Sequence, residues 1–300
     1  MQLSFYQGIQ AESNIWYNNL QWLGQGGNAT TYLMVAGSGN WTGNQFAVKI
    51  FHNIEKPERR ESFLEEIKFL KNCDHPSILR IYDEGIFQNL HPFVVMEYLP
   101  QTLREVIRSR QSTMIEKLSY TVQLLSALSY LDSLDNPVIH RDIKPENIFL
   151  KSTSCVLGDF GLLKRLDCPK EDDWTDKLKE SVGVGMPFYY RTPDLVDYAL
   201  GKAMPTTKSD LFQVGLVIAE LFTGTNPEQP VSYDEMLSEV TLNQIGFVPG
   251  ASHLMVKDLL APMLEIAPDD RPEIKESLTA WQGLFRSVAE QVHAIEGKVF

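Results

Sequence analysis

The spacing of apolar residues changes near residue 100, and no other feature of the chain narrows its possible folds so far. From Trp22 to Ile50 short apolar runs alternate with Gly and Asn, which predicts consecutive β-strands joined by turns, Phe46 to Ile50 among them. The polar stretch from Gly37 to Asn44 is long enough only for a hairpin loop. Between Pro57 and Lys71, Phe63, Ile67 and Leu70 recur at helical steps with Glu and Lys between them, which predicts one amphipathic helix. Strand-like runs return at Ile78 to Tyr82 and Phe93 to Tyr98. After Pro100 the period becomes helical: Ile115, Leu118, Val122, Leu125 and Leu128 define a buried face over Ile115 to Leu131. Short strands around Val138, Ile148 to Leu150 and Val156 to Leu157 interrupt the helical part, and an amphipathic helix over Ile274 to Val292 closes it before a short tail. The expected fold class is α+β, with a strand-rich part at 1–96, a connection at 97–100 and a helical part at 101–300.

With 300 residues and 43% hydrophobic content, the chain can bury an ordinary globular core as one large domain or two joined lobes. A formal net charge of −12 opposes non-specific binding to nucleic acid or anionic membrane, since both reward clustered Lys and Arg. Cys73, Cys155 and Cys168 are too few and too widely spaced for a disulfide framework or a Cys-rich zinc site, which favours a reducing, cytoplasmic setting. Met1 to Ser13 lack the pattern of a secretory signal. The most apolar segment, Leu211 to Phe222, is broken by Gln213 and Glu220 and falls short of the roughly 18 residues a membrane span requires, so it reads as a core helix.

Three groups of residues carry chemistry. Gly24-Gln25-Gly26-Gly27-Asn28-Ala29 lies between two expected strands, a context that differs from the strand-to-helix turn of dinucleotide sites. It reads either as an ordinary Gly-rich turn or as a hairpin whose backbone N–H groups approach phosphates without a Cβ in the way. Lys49 stands in an apolar strand, where it either reaches solvent or meets an anion such as Glu65 or Glu66. Most specific is His140-Arg141-Asp142-Ile143-Lys144-Pro145-Glu146-Asn147, followed one short hairpin later by Gly158-Asp159-Phe160-Gly161. Phosphoryl transfer needs an acceptor-orienting carboxylate, ligands for a divalent cation and positive charge near the transferred group, and these segments supply all three.

The pair of segments resembles the catalytic loop and metal-binding element of the eukaryotic-type protein kinase superfamily, with the H-R-D-x-x-x-x-N spacing intact. The resemblance extends from Leu23 to Arg271. It implies a bilobal kinase-like fold, a β-rich N-lobe and an α-helical C-lobe, with ATP in the cleft between them. It also implies a serine/threonine kinase that transfers the γ-phosphate of ATP to protein hydroxyls, with Mg²⁺ as the metal and Mn²⁺ as an alternative. Asp142 would orient the acceptor hydroxyl, Lys144 neutralise the γ-phosphate, and Asn147 and Asp159 hold the metal. Lys49 would bind the α- and β-phosphates, with Glu66, ten residues before Pro76, as its ion-pair partner. Leu23, Gly24, Gly26, Gly27, Ala47, Glu97, Leu99 and Phe149 complete the implied nucleotide contacts, and Met96 falls at the gatekeeper position. His140 and Phe160 would belong to a hydrophobic spine with Leu70 and Ile81. Thr192-Pro193-Asp194 resembles the Ala-Pro-Glu element, Asp210 the aspartate that opens the central helix, and Arg271 the partner of that acidic residue. The expected partners are ATP and a protein substrate, with no nucleic acid and no membrane.

Departures from the pattern bear on specificity. Ala29 replaces the third loop glycine, which is harmless only if that position needs no positive φ, and Thr31 replaces the usual valine. Gly185 to Tyr190 resembles the Gly-Thr-Pro element but is one residue long and lacks its threonine. Leu162 to Val184, with Glu171-Asp172-Asp173, reads as a solvated loop in which Thr175 and Ser181 are the candidate phosphosites paired with Arg141. Lys144-Pro145-Glu146-Asn147 favours Ser/Thr over Tyr acceptors. A binding scaffold would not need the complete set of Lys49, Glu66, Asp142, Asn147 and Asp159, and a small-molecule phosphotransferase would lack the Pro193, Asp194 and Arg271 anchors.

Overall fold

The computed structural model describes residues 3–26, 29–52, 63–64, 67–68, 70–159, 164–165, 189–232, 235–246 and 251–296. The chain forms two compact units, residues 1–100 and 101–300.

In the first unit six antiparallel strands form one sheet in the order β1-β2-β3-β4-β6-β5. They are β1 (Gly8–Gln10), β2 (Trp16–Gln25), β3 (Ala29–Ala36), β4 (Gln45–Phe51), β5 (Ile81–Phe87) and β6 (His91–Glu97). Alternation turns Tyr17, Tyr32, Met34, Phe46, Val48, Phe93 and Val95 into one fully or nearly buried cluster. The polar stretch 37–44 forms the expected β3–β4 connection, and its Trp41 ring packs 5.8 Å from Phe46 and 5.4 Å from Tyr82. Residues 63–64, 67–68 and 70–71 are helical, with Leu64, Ile67 and Leu70 buried.

The two largest departures from the strand boundaries that the spacing predicts have one physical reason. β5 covers Ile81–Phe87 rather than Ile78 to Tyr82 because it continues through Asp83 and Glu84, which look like loop residues but are 0% and 3% exposed. Ser13 and Tyr17 donate to the Asp83 carboxylate, and Lys71 Nζ lies 2.8 Å from Glu84. Satisfied by partners distant in sequence, the two carboxylates can sit inside a strand. Likewise β2 begins at Trp16, before Trp22, because Asn19 faces inward and its side-chain amide donates to the carbonyls of Leu3 and Ser4.

The second unit contains helices α1 (Leu103–Ser109), α2 (Met114–Asp132), α3 (Pro193–Ala199), α4 (Thr207–Thr223), α5 (Ala251–Leu260) and α6 (Ile274–Glu296). Among them run β7 (Gln101–Thr102), β8 (Val138–Ile139), β9 (Ile148–Lys151), β10 (Ser154–Leu157) and β11 (Lys164–Arg165). Capping boxes start the first two helices, Thr102 with Glu105 and Thr113 with Glu116, each satisfying amides that have no partner within the helix. Leu118, Leu125 and Leu128 lie on the buried face of α2 as their spacing predicts, together with Leu124 and Leu131, whereas Ile115 and Val122 are only half-buried. α4 is the central element, with every residue from Ser209 to Phe222 buried. It runs so close to the 3₁₀ turn Ala261–Leu264 that a Cβ on Gly215 would stand 2.8 Å from Leu264. Among the described residues no helix is long and apolar enough to cross a membrane.

Buried ion pairs fix α3 in place. Arg271 donates to Asp194 at 2.9 Å and to the carbonyls of Glu265, Ile266 and Lys208, while Ser209 donates to the other Asp194 oxygen. Its guanidinium also lies over the Phe212 ring. Both side chains of the pair are almost wholly out of solvent. Arg271→Met leaves a buried carboxylate without its cation, so unfolding in urea should show a loss of about 3–5 kcal/mol. A loss below about 1 kcal/mol would mean that the pair is replaceable by packing.

Candidate active site

Between β8 and β9 the chain runs through His140 to Asn147 in a loop held from beneath by α4. The Asp210 carboxylate accepts the backbone N–H of His140 at 2.7 Å and that of Arg141 at 2.9 Å. Arg141 adopts φ 67°, a left-handed conformation that costs a non-glycine residue energy and persists only where its surroundings dictate it. His140 is fully buried, and its Nε2 is 2.9 Å from the Gly158 carbonyl. That environment matches its reading as a core residue.

The loop and the β9–β10 hairpin bring four sequence-predicted residues together. Ile148 pairs with Leu157, so Asn147 precedes one strand of the hairpin and Gly158-Asp159 follows the other, and the Gly158 N–H donates to the Asn147 carbonyl. Lys144 Nζ donates to both Asp142 oxygens, at 2.8 and 3.0 Å. Asn147 gives both side-chain amide protons to Asp142, one to its carbonyl and one to its carboxylate, each at 2.8 Å. This leaves Asn147 Oδ1 as the atom available to a cation. Burial pushes the Asp142 carboxyl up to about 6; Lys144 pulls it down, nearby Asp159 raises it, and the Asn147 hydrogen bond lowers it. A carboxylate in this state remains mostly ionised at neutral pH yet is basic enough to take a proton. Asp159 adopts φ 59°, a second strained residue in the same cluster.

A charged network adjoins this loop. Arg104 on α1 reaches Glu146 at 2.7 Å, Glu220 at 2.5 Å and the Tyr190 hydroxyl at 2.8 Å, and Tyr190 in turn donates to Glu220. Glu146 is therefore already paired within the chain, although on resemblance to some kinases it could have met a basic residue of a peptide. The next residue, Arg191, is fully buried against Glu228 at 2.9 Å and donates to the carbonyls of Met236 and Ser238.

In the first unit Leu23 and Gly24 lie on β2, with Gly26 just beyond, where its N–H donates to the Ala29 carbonyl at 2.9 Å. Neither Gly24 nor Gly26 has a positive φ, and a Cβ on either would meet nothing within 4 Å. The chain's own packing thus gives no reason for glycine there. Ala29 lies on β3 and is not among the positive-φ residues, so its methyl group introduces no backbone strain. Ala47 and Lys49 lie on β4, where Ala47 pairs with Met96 and Lys49 with Val94, and Lys49 Nζ is 5.4 Å from the Phe51 ring centroid. Glu97 ends β6, followed by half-buried Leu99; Phe149 is half-buried on β9 of the second unit. Glu66, Gly27, Phe160, Thr175, Ser181 and Gly185 to Phe188 lie outside the described residues.

Asn147 and Asp159 offer oxygen donors that suit a hard divalent cation. No group of three or more His, Cys, Asp or Glu that could hold a metal occurs among the described residues. Asn147 Oδ1 and the Asp159 carboxylate are oxygen donors too few for a complete cage, and Mg²⁺ is commonly held this way, with phosphate oxygens and waters completing its octahedron.

The structure also shows residues whose role the sequence did not reveal, Gln213 and Glu220 above all. The Gln213 side chain accepts the Ile143 N–H at 3.0 Å and donates to the carbonyls of Arg141 and Tyr190. Both residues are visible in the sequence only as polar interruptions of an apolar helix. Such an interruption is itself the signal, because a polar side chain in a core helix must have a partner.

The family profile described as "Protein kinase domain" matches residues 17–281. A probable serine/threonine-protein kinase of Dictyostelium discoideum is 32% identical over 214 residues, 69% of this chain and 12% of that protein. The probable serine/threonine-protein kinase nek3 of the same organism is 26% identical over 233 residues, 74% of this chain and 20% of that protein. Calcium-dependent protein kinase 4 of Plasmodium falciparum is 26% identical over 285 residues, 91% of this chain and 50% of that protein. The chain therefore spans between about an eighth and a half of the length of these relatives.

Asp210→Asn offers one acceptor where the loop needs two and sets an NH₂ group against the other amide. Losing one such buried bond should cost about 1–3 kcal/mol. Native-state hydrogen exchange should accordingly quicken at His140 and Arg141, and unchanged protection at both amides would contradict this account of the loop.

Proposed function

Because the chain belongs to the protein kinase family, we propose that it transfers the γ-phosphate of ATP to serine or threonine hydroxyls of proteins. One observation carries the reading: Asp142, Lys144, Asn147 and Asp159 form a single cluster whose central carboxylate is buried and shifted to about 6. In the proposal Asp142 orients the acceptor hydroxyl and takes its proton, while Lys144 and Asn147 keep the carboxylate aimed. Asn147 and Asp159 hold Mg²⁺, or Mn²⁺, which supplies charge neutralisation at the phosphates when bound. Gly24 and Gly26 leave backbone open to phosphate oxygens, with Lys49 as the cation, and the roles expected of Gly27 at the phosphates and of Glu66 as partner of Lys49 belong to the same proposal. Leu23, Ala47, Glu97, Leu99 and Phe149 contact the rest of the nucleotide. Preference for Ser and Thr over Tyr is supported by Lys144 and by the names of the relatives. A cytoplasmic setting belongs to the same proposal and is supported by the small number and wide spacing of Cys73, Cys155 and Cys168, which suit no disulfide framework.

The test is transfer of labelled phosphate from ATP to a generic basic protein. Asp142→Asn removes the proton acceptor and should lower kcat about 10²–10⁴-fold. Asp159→Asn should abolish transfer while thermal melting remains near wild type. EDTA should stop the reaction and Mg²⁺ restore it. Full activity in Asp142→Asn, or in EDTA, would refute the assignment.

A further inference from the structure

Gln213 is 0% exposed, within a helix whose neighbouring residues are all buried. A primary amide in such a place costs free energy unless every polar atom is paired, and here each one is. The two bonds to the loop have a specific geometry. The Arg141 carbonyl belongs to the peptide unit immediately before the Asp142 Cα, and the Ile143 N–H belongs to the unit immediately after it. One side chain thus grips both peptide planes that set the direction of the Asp142 side chain. The third bond runs to the Tyr190 carbonyl at 2.8 Å, whose peptide partner, the Arg191 N–H, donates to buried Glu228. The amide therefore ties the Asp142 loop to a peptide unit that is fixed at its other end.

We propose that Gln213 is a positioning residue for phosphoryl transfer: it acts through Asp142 by clamping the two flanking peptide units and referring them to the Tyr190–Arg191 peptide. Asp210 serves the backbone one step earlier, at His140 and Arg141, and touches neither of these planes. The inference rests on the kinase reading given above. It goes further in assigning the aim of the acceptor-orienting carboxylate to a residue of the central helix.

Gln213→Met preserves length and unbranched shape but removes all three hydrogen bonds, and Ile218→Val, on another side of α4, is the packing control. Displacement of a reacting group by about 1 Å costs on the order of 10²-fold in rate. At a temperature well below melting, Gln213→Met should therefore lose about 10- to 100-fold in kcat for labelled-phosphate transfer, with KM for ATP within about twofold of wild type. Ile218→Val should lower the melting temperature and leave kcat unchanged. Should Gln213→Met not fold, Gln213→Glu retains the acceptor for Ile143 and replaces the amide donors, and the same kcat loss is expected. A folded variant at either position-213 substitution with wild-type kcat, or an equal kcat loss in Ile218→Val, overturns the positioning role. Wild-type protein that transfers no phosphate overturns the kinase reading, and the role of Gln213 with it.

Discussion

The Asp210 carboxylate, accepting two consecutive backbone N–H groups, is the interaction on which the loop geometry depends. It fixes the N–H of Arg141, whose left-handed φ of 67° tends to relax to ordinary conformations if given the room. The reversal at Arg141 turns the chain so that Asp142 stands above Lys144 and Asn147 instead of continuing along β8. A carboxylate suits this place because it offers acceptors in two directions at once, and its position in the first turn of α4 makes a long, fully packed helix its foundation. Strain at the loop is thereby balanced by the burial of an entire helix.

Around this foundation the second unit collects charges that a stability argument alone would discourage. Arg191–Glu228 is completely buried, Arg271–Asp194 nearly so, and Arg104 bridges Glu146, Glu220 and Tyr190. Buried pairs of this kind seldom outperform hydrophobic substitutes of equal volume. What they impose is directional: each side chain meets a defined set of atoms, and the backbone between Tyr190 and Asp194 can adopt few other arrangements without leaving a charge unpaired. All of these pairs converge on the residues just before α3 and within its first turn. Packing alone, being non-directional, would leave the orientation of those peptide units open.

How much of this was legible in the sequence follows from the range of the interactions. Periodicity exposed α2, α6 and the core strands, and an apolar run exposed α4, because burial is encoded locally. The loop from His140 to Asn147 was legible because phosphoryl chemistry demands particular groups at a fixed spacing, and the hairpin that joins Asn147 to Asp159 is short. Strand β5 was misjudged at Asp83 and Glu84, since their partners Ser13, Tyr17 and Lys71 lie outside any local window. The same holds for Asn19, whose inward placement depends on the carbonyls of Leu3 and Ser4. The pairing of Glu146 was not legible because Arg104 lies 42 positions away.

Three polar residues of α4, Asp210, Gln213 and Glu220, share a geometry that their separate roles conceal. At about 100° per residue, Asp210, Gln213 and Glu220 fall within about 80° of one another around the helix axis. They form one polar stripe, about 15 Å long, on a helix that is otherwise apolar from Leu211 to Phe222. Asp210 takes the loop at His140 and Arg141, Gln213 takes the peptides around Asp142 together with Tyr190, and Glu220 takes Arg104 and the Tyr190 hydroxyl. A helix is stiff over this distance, so the spacing of three side chains along it fixes the Asp142 loop and the Tyr190 peptide relative to each other and to Arg104 of α1. Loops cannot position one another, because each has too few internal hydrogen bonds to act as a reference. A regular element carrying its polar groups on one face can do so, and the apolar remainder of α4 is what allows that face to stay where it is.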